Sequence, residues 1–213
     1  MKELKFGTYW QSKKSEGEFW TFDSEECTRK DEDHDWAFDD EECLYVEGST
    51  NHEDNDYVKE PIEWLVLEED DEKALLLSKY ALDAKAYNEI ASSDGITWED
   101  CTLREWINTF FLDKAFSEEE KARIIKSTDS IFLLSAEELD KYLSSTDCKC
   151  TEFCYDQGIS IDSRLDNCSW WVRFSCDSEC ESHAIYISSQ FGLVDYGGVA
   201  EKYGVRPALW IKK

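Results

Sequence analysis

The sequence predicts an α+β fold with a largely antiparallel sheet. Strand-like runs fill both ends of the 213-residue chain, and two or three short helices with well-marked starts fill the middle. No strand–helix–strand alternation links them, which excludes a parallel doubly wound sheet.

The first strand is expected over residues 4–11. Pro61 then opens a second run, Ile62-Glu63-Trp64-Leu65-Val66-Leu67, whose near alternation suits a half-buried strand. After a polar turn at 68–72, Ala74-Leu75-Leu76-Leu77-Ser78 reads as a buried strand and the antiparallel partner of the second. Thr102-x-x-Glu105, Ser117-x-x-Glu120 and Ser135-x-x-Glu138 have the form of capping boxes, in which each side chain satisfies a free N–H at a helix start. Behind the first, Leu103, Trp106, Ile107 and Phe110 share one helical face. Ile131-Phe132-Leu133-Leu134 reads as a short buried strand. Further strands are expected at 169–174, 184–188, 192–194 and 205–211, with Gly192, Gly197, Gly198 and Gly204 supplying turns.

Charge divides the chain unevenly. The formal net charge is −26, from 49 acidic and 23 basic residues. Residues 16–60 alone carry 18 acids and three bases. That segment also holds Phe19, Trp20, Phe22, Trp36 and Phe38, which a purely solvating tail would lack. The expectation is a single domain, 1–213, with an acidic insertion at about 16–60. So negative a chain is not expected to bind nucleic acid or an anionic membrane directly. The first residues lack the apolar stretch of a signal peptide, and no window approaches a membrane span, so a cytoplasmic location is expected. Nine cysteines are then expected as thiols rather than as a disulfide framework.

The order of several motifs resembles the bacterial domain of unknown function 6273. They are Phe6-Gly7-x-Tyr9-x-Gln11, Pro61-Ile62-Glu63-Trp64-x-Val66-Leu67, Ala74-Leu75-Leu76-Leu77-Ser78, Thr97-Trp98-Glu99-x-Cys101-Thr102-Leu103-Arg104-x-Trp106-x-Asn108, Ala115-Phe116-Ser117, Ile131-Phe132-Leu133-Leu134-Ser135, Trp170-Trp171-x-Arg173 and Gly204-Val205-Arg206-Pro207-Ala208-Leu209-Trp210. The resemblance implies a compact α+β domain with no assigned activity. More distantly the chain resembles the C-type-lectin-like fold, a group that includes formylglycine-generating enzymes. Two departures stand out: the acidic segment, and Phe174-Ser175-Cys176 where the family continues Ser-Pro-Gly.

Several constellations compete as sites. Arg104, Arg173 and Arg206, with Trp98, Trp170 and Trp171, are candidates to bind a carboxylate, phosphate or other polar ligand. The alternative for the arginines is a structural tie between helix and sheet. Cys148, Cys150, Cys154 and Cys168 are weak metal candidates, because C-x-C-x3-C-x13-C lacks paired zinc knuckles. Asp31, Asp33, Asp35 and Glu42 have calcium-loop spacing, but Trp36 stands where that loop needs glycine. Cys176 or Cys180 with His183 would be a thiol centre only if a base and an oxyanion donor joined them. No cofactor is expected.

These readings favour a non-enzymatic binding module. Its ligand is expected to be a protein or small polar molecule, met along the irregular polar stretch from Cys148 to His183. A second expectation is an acidic decoy occupying the basic groove of a nucleic-acid-binding protein. A third is a thiol- or metal-dependent enzyme.

Overall fold

The computed structural model describes residues 2–14, 56–90, 95–159, 161–162, 167–173, 182–190 and 192–213. The acidic segment, apart from Asp56 and the residues after it, lies outside this set, as do Cys176 and Cys180. By its internal contacts the chain divides into Met1–Lys13 with Tyr57–Lys213, and Lys14–Asp56. The larger unit holds all the helices and strands found among the described residues.

In chain order the elements are β1 (Glu3–Lys13), β2 (Tyr57–Glu69), β3 (Lys73–Ser78), β4 (Asp83–Ala86), α1 (Thr102–Trp106), a π-helical turn (Ile107–Phe111), α2 (Leu112–Ala115), α3 (Glu118–Arg123), α4 (Ala136–Tyr142), α5 (Glu152–Asp156), β5 (Ile161–Asp162), β6 (Asn167–Cys168), β7 (Trp170–Trp171), β8 (His183–Ile187), β9 (Val194–Gly198), β10 (Lys202–Val205) and β11 (Ala208–Lys212). The fold is mixed α+β, as expected. One sheet is ordered β1-β2-β3-β11 and is antiparallel throughout. The second is ordered β4-β10-β7-β8-β9, antiparallel except where β10 meets β7. β5 and β6 form a small third ladder.

β3 is buried from Ala74 to Ser78 because it lies between β2 and β11. β2 begins at Tyr57, earlier than the expected start at Pro61. Pro61 sits inside the strand opposite Thr8, where the β1 register shifts between Lys5 and Thr8. An irregularity of that kind tolerates a residue with no N–H to give. The expected strand at 205–211 is broken at Arg206-Pro207, so β10 joins the second sheet and β11 the first. The Pro207 carbonyl accepts from the Ser78 N–H at the crossing.

Four further expectations need correction. Thr102 is the first residue of α1 rather than its cap. Cys101 caps it, its sulfur accepting from the Arg104 N–H at 3.4 Å, while Asn88 Oδ1 takes the Thr102 N–H. The buried face is Leu103, Ile107 and Phe111, with Phe110 41% exposed. The wider π turn carries the inward position one residue further along. Residues 131–134 are buried, but they make only an isolated bridge, Phe132 to Ala208. Gly197 and Gly198 lie inside β9 rather than in a turn, because the Tyr203 ring occupies the place of a Gly197 side chain, 2.7 Å from where its Cβ would stand. The other two boxes form as expected: Ser117 and Ser135 each cap a helix, answered by Glu120 and Glu138.

Candidate functional site

Arg104 projects from α1 onto the turn around Asp129. Its Nε and Nη2 both lie 2.8 Å from Asp129 Oδ1, and its Nη1 donates to the Glu99 carbonyl. Trp98 Nε1 donates to the other carboxylate oxygen at 2.9 Å. Asn108, on the π turn, accepts from the Ser130 and Ile131 N–H groups and donates to the Ile131 carbonyl. A shallow cleft of about 300 Å³ opens over Glu99, Asp100, Arg104, Asn108, Thr109 and Asp129. Its one cation is already neutralised, so the cleft presents an acidic rim.

Arg173 donates to Glu138 Oε2 at 2.8 Å and lies over the Phe132 ring. The same carboxylate oxygen accepts the Ser135 N–H, so the α4 cap and the residue after β7 share one anchor. Trp171 is fully buried against Tyr87 and Tyr203, with its Nε1 on the Lys85 carbonyl.

Arg206 is the most enclosed of the three arginines, 2% exposed. Its Nε donates to the Ser78 carbonyl, and its guanidinium stands 4.9 Å from the Trp170 ring centre. Its Nη1 has no acceptor, the one such buried side-chain atom among the described residues. Its charge acts on the Cys148 thiol, and the fold draws Cys148, Cys150, Cys154 and Cys168 toward one another from three segments. Cys150 bridges to Ala81, Cys154 lies in α5, and the Cys168 N–H of β6 donates to the Cys148 carbonyl at 2.8 Å. Burial alone would push the Cys148 thiol up. The hydrogen bond from Cys168 and the Arg206 charge outweigh it, so Cys148 lies below the usual thiol range. Hydrogen bonding to Cys148 and Cys150, together with burial, holds the Cys168 thiol protonated. Among the described residues no group of three or more Cys, His, Asp or Glu is arranged to hold a metal ion.

The predicted ligand set is therefore spread over three places. Trp98 and Arg104 share Asp129, with Trp171 one ring away from Trp98 across Tyr87; Trp170 faces Arg206; and Arg173 is held by Glu138. The described residues of the stretch from Cys148 to His183 are more regular and more buried than the irregular polar loop expected, and residues 160, 163–166 and 174–181 lie outside them. The stretch contains α5 and β5 to β7, and it buries Phe153, Cys154, Trp170 and Trp171. Thr151 caps α5 from a side chain that gave no capping-box signal, since Cys154 rather than Glu or Gln follows three residues later. His183 is exposed at the start of β8. Its expected partners Cys176 and Cys180, like Asp31, Asp33, Asp35 and Glu42, lie outside the described residues.

Sequence reasoning missed two features. Asp83 is 2% exposed, accepting from Tyr9 Oη at 2.7 Å and the Ala84 N–H. Burial raises its carboxyl above the ordinary value, with Lys85 and Tyr9 opposing. The other is β9, last strand of the second sheet, where Val194 and Tyr196, with Leu193 just before the strand, are 48%, 57% and 66% exposed around an exposed Asp195. The run Gly192-Leu193-Val194 has the composition of an interior strand, and composition alone does not tell an outer strand from an inner one.

A family model described as a domain of unknown function (DUF6273) matches residues 71–213, from the turn before β3 to the residue after β11. No curated protein and no solved structure matches the chain.

Proposed function

Since the chain belongs to the domain of unknown function 6273 family, whose name assigns no chemistry, we propose from its geometry a non-enzymatic protein-binding module that docks an extended basic segment of its partner on β9. One observation carries this reading. β9 closes the second sheet, and Val194 within it and Leu193 just before it are exposed beside Asp195, on a chain with net charge −26. Outer strands recognise extended peptides by main-chain hydrogen bonding, with alternate side chains setting specificity. A partner segment alternating apolar and basic residues would cover the apolar side chains and meet the acidic surface.

The distant C-type-lectin-like likeness fits such a role, since a rigid two-sheet body would hold the outer strand still. The same reading is of a cytoplasmic protein, in which thiols such as those of Cys148 and Cys168 stay reduced. No helix among the described residues is long and apolar enough to cross a membrane.

The test uses a synthetic peptide alternating valine and lysine, with binding followed by fluorescence anisotropy. Val194→Lys with Leu193→Lys should weaken binding by about tenfold or more. The same change should leave thermal unfolding nearly unmoved, because both side chains are exposed. Equal binding by wild type and variant, or none by either, would overturn the reading.

A further inference from the structure

The ladder between β8 and β9 decides which main-chain groups of β9 meet a partner. The Val199 N–H donates to the Ser182 carbonyl and the Ser188 N–H to the Leu193 carbonyl, both at 2.9 Å. Bonded positions alternate along an antiparallel pair. With Tyr186 opposite Asp195 and Ala184 opposite Gly197, Asp195 and Gly197 therefore turn their main-chain groups toward β8. Val194, Tyr196 and Gly198 turn theirs outward. Two of these outward groups are already held. The Gly198 carbonyl accepts the Glu201 N–H at 2.9 Å, and the Tyr196 N–H donates to Asp195 Oδ1 at 2.8 Å. The other oxygen of that carboxylate accepts from Tyr186 Oη at 3.2 Å. An exposed acid is thus clamped across the middle of the outer edge.

We propose that Asp195 selects the occupant of β9, a role that rests on β9 being the docking strand. A strand laid antiparallel on the outer edge would bond to Tyr196. Its residue opposite Asp195 would then fall in a non-hydrogen-bonded pair, where side chains stand closest. A lysine or arginine there reaches the carboxylate and draws it off the Tyr196 N–H, which donates to the incoming main chain instead. The flanking residues of that strand fall on the other face of the sheet, beside Val194 and Tyr196, where apolar side chains suit. The alternation of basic and apolar residues in the partner therefore has a fixed phase. A neutral strand offers only its own carbonyl in exchange for a bond to a charged oxygen, so it loses by the exchange. A second copy of this chain brings its own Asp195 to the same edge, where like charges repel. Charges on outer strands prevent such pairing in many sheets, and here the same charge admits a basic strand.

The experiment compares the valine–lysine peptide with a valine–threonine peptide by fluorescence anisotropy on the full chain, and follows amide exchange at Tyr196 in the free chain. Wild type should prefer the lysine peptide. Asp195→Ala should shrink that preference by about fivefold, mainly by binding the threonine peptide more tightly. The same variant should exchange the Tyr196 amide faster than wild type and self-associate more strongly in sedimentation. Asp195→Asn keeps an acceptor without the charge, so it should lose the preference but retain the slow exchange. An unchanged preference in both variants, with the lysine peptide still bound by wild type, would overturn the selecting role and leave the docking strand standing. Unchanged Tyr196 exchange in Asp195→Ala would overturn the selecting role as well. Binding of neither peptide by wild type would overturn the docking strand itself, and the selecting role with it.

Discussion

Asp83 and Asp129 show what single carboxylates do in this chain. Asp129 receives the fork of Arg104 and the indole of Trp98, so one side chain fixes both residues of the longest family-like motif. Asp129→Ala should cost about 2 kcal/mol in urea unfolding, the value of a part-buried charged contact whose partners are stranded. A loss within experimental error would mean that solvent already screens the pair. Asp83 is different, because burial lifts its carboxyl above the unfolded value. Such an acid stabilises the fold fully below about pH 4, and that contribution is lost as the pH rises through the folded value. Asp83→Asn has no charge to gain, so it should become more stable relative to wild type as the pH is raised above about 4. A gap between their urea midpoints that stays constant with pH would contradict this. The arginines and tryptophans of these sites were legible as candidates, because they stand inside the family-like motifs. Their partners were not, since Asp83 and Asp129 carry no local pattern and gain their roles only from distant chain.

At the scale of elements, local chemistry was read well and its interruptions were not. The Ser117 and Ser135 boxes formed because their signals are contained within one turn. The cap of α1 passed to Cys101 because Asn88, distant in sequence, took the Thr102 N–H. The π turn moved the inward position from Phe110 to Phe111, which no regular period predicts. Gly7 joins two elements. Its φ is +69°, and its missing Cβ leaves room for Phe116 and the Ala115 carbonyl, which would stand 2.6 and 2.7 Å away. Its N–H donates to Glu120 Oε1, tying β1 to α3. Gly7→Ala should therefore destabilise by about 3 kcal/mol, from left-handed strain together with a clash against backbone. A fall in melting temperature no larger than that of a surface substitution would show that the corner yields.

The whole molecule was legible as a class and not as an arrangement. Strands at the ends and helices in the middle do give α+β, but the split into two sheets turns on Arg206-Pro207, where one apparent strand serves both. The order of the second sheet decides that β9 is outermost, and sheet order is not written in any one strand. Charge acts at this scale too. Binding of a basic segment by a chain of net charge −26 should weaken as salt is raised from low to physiological strength, because the Debye length shrinks to about 8 Å. The central claim is that β9 is the docking strand, and amide hydrogen exchange with and without the valine–lysine peptide tests it most directly. The account predicts slower exchange at Val194–Gly198 and at its neighbour β8, with β1 to β3 unchanged. Unchanged exchange at β9 while the peptide is bound, or protection that appears on the first sheet instead, would contradict it.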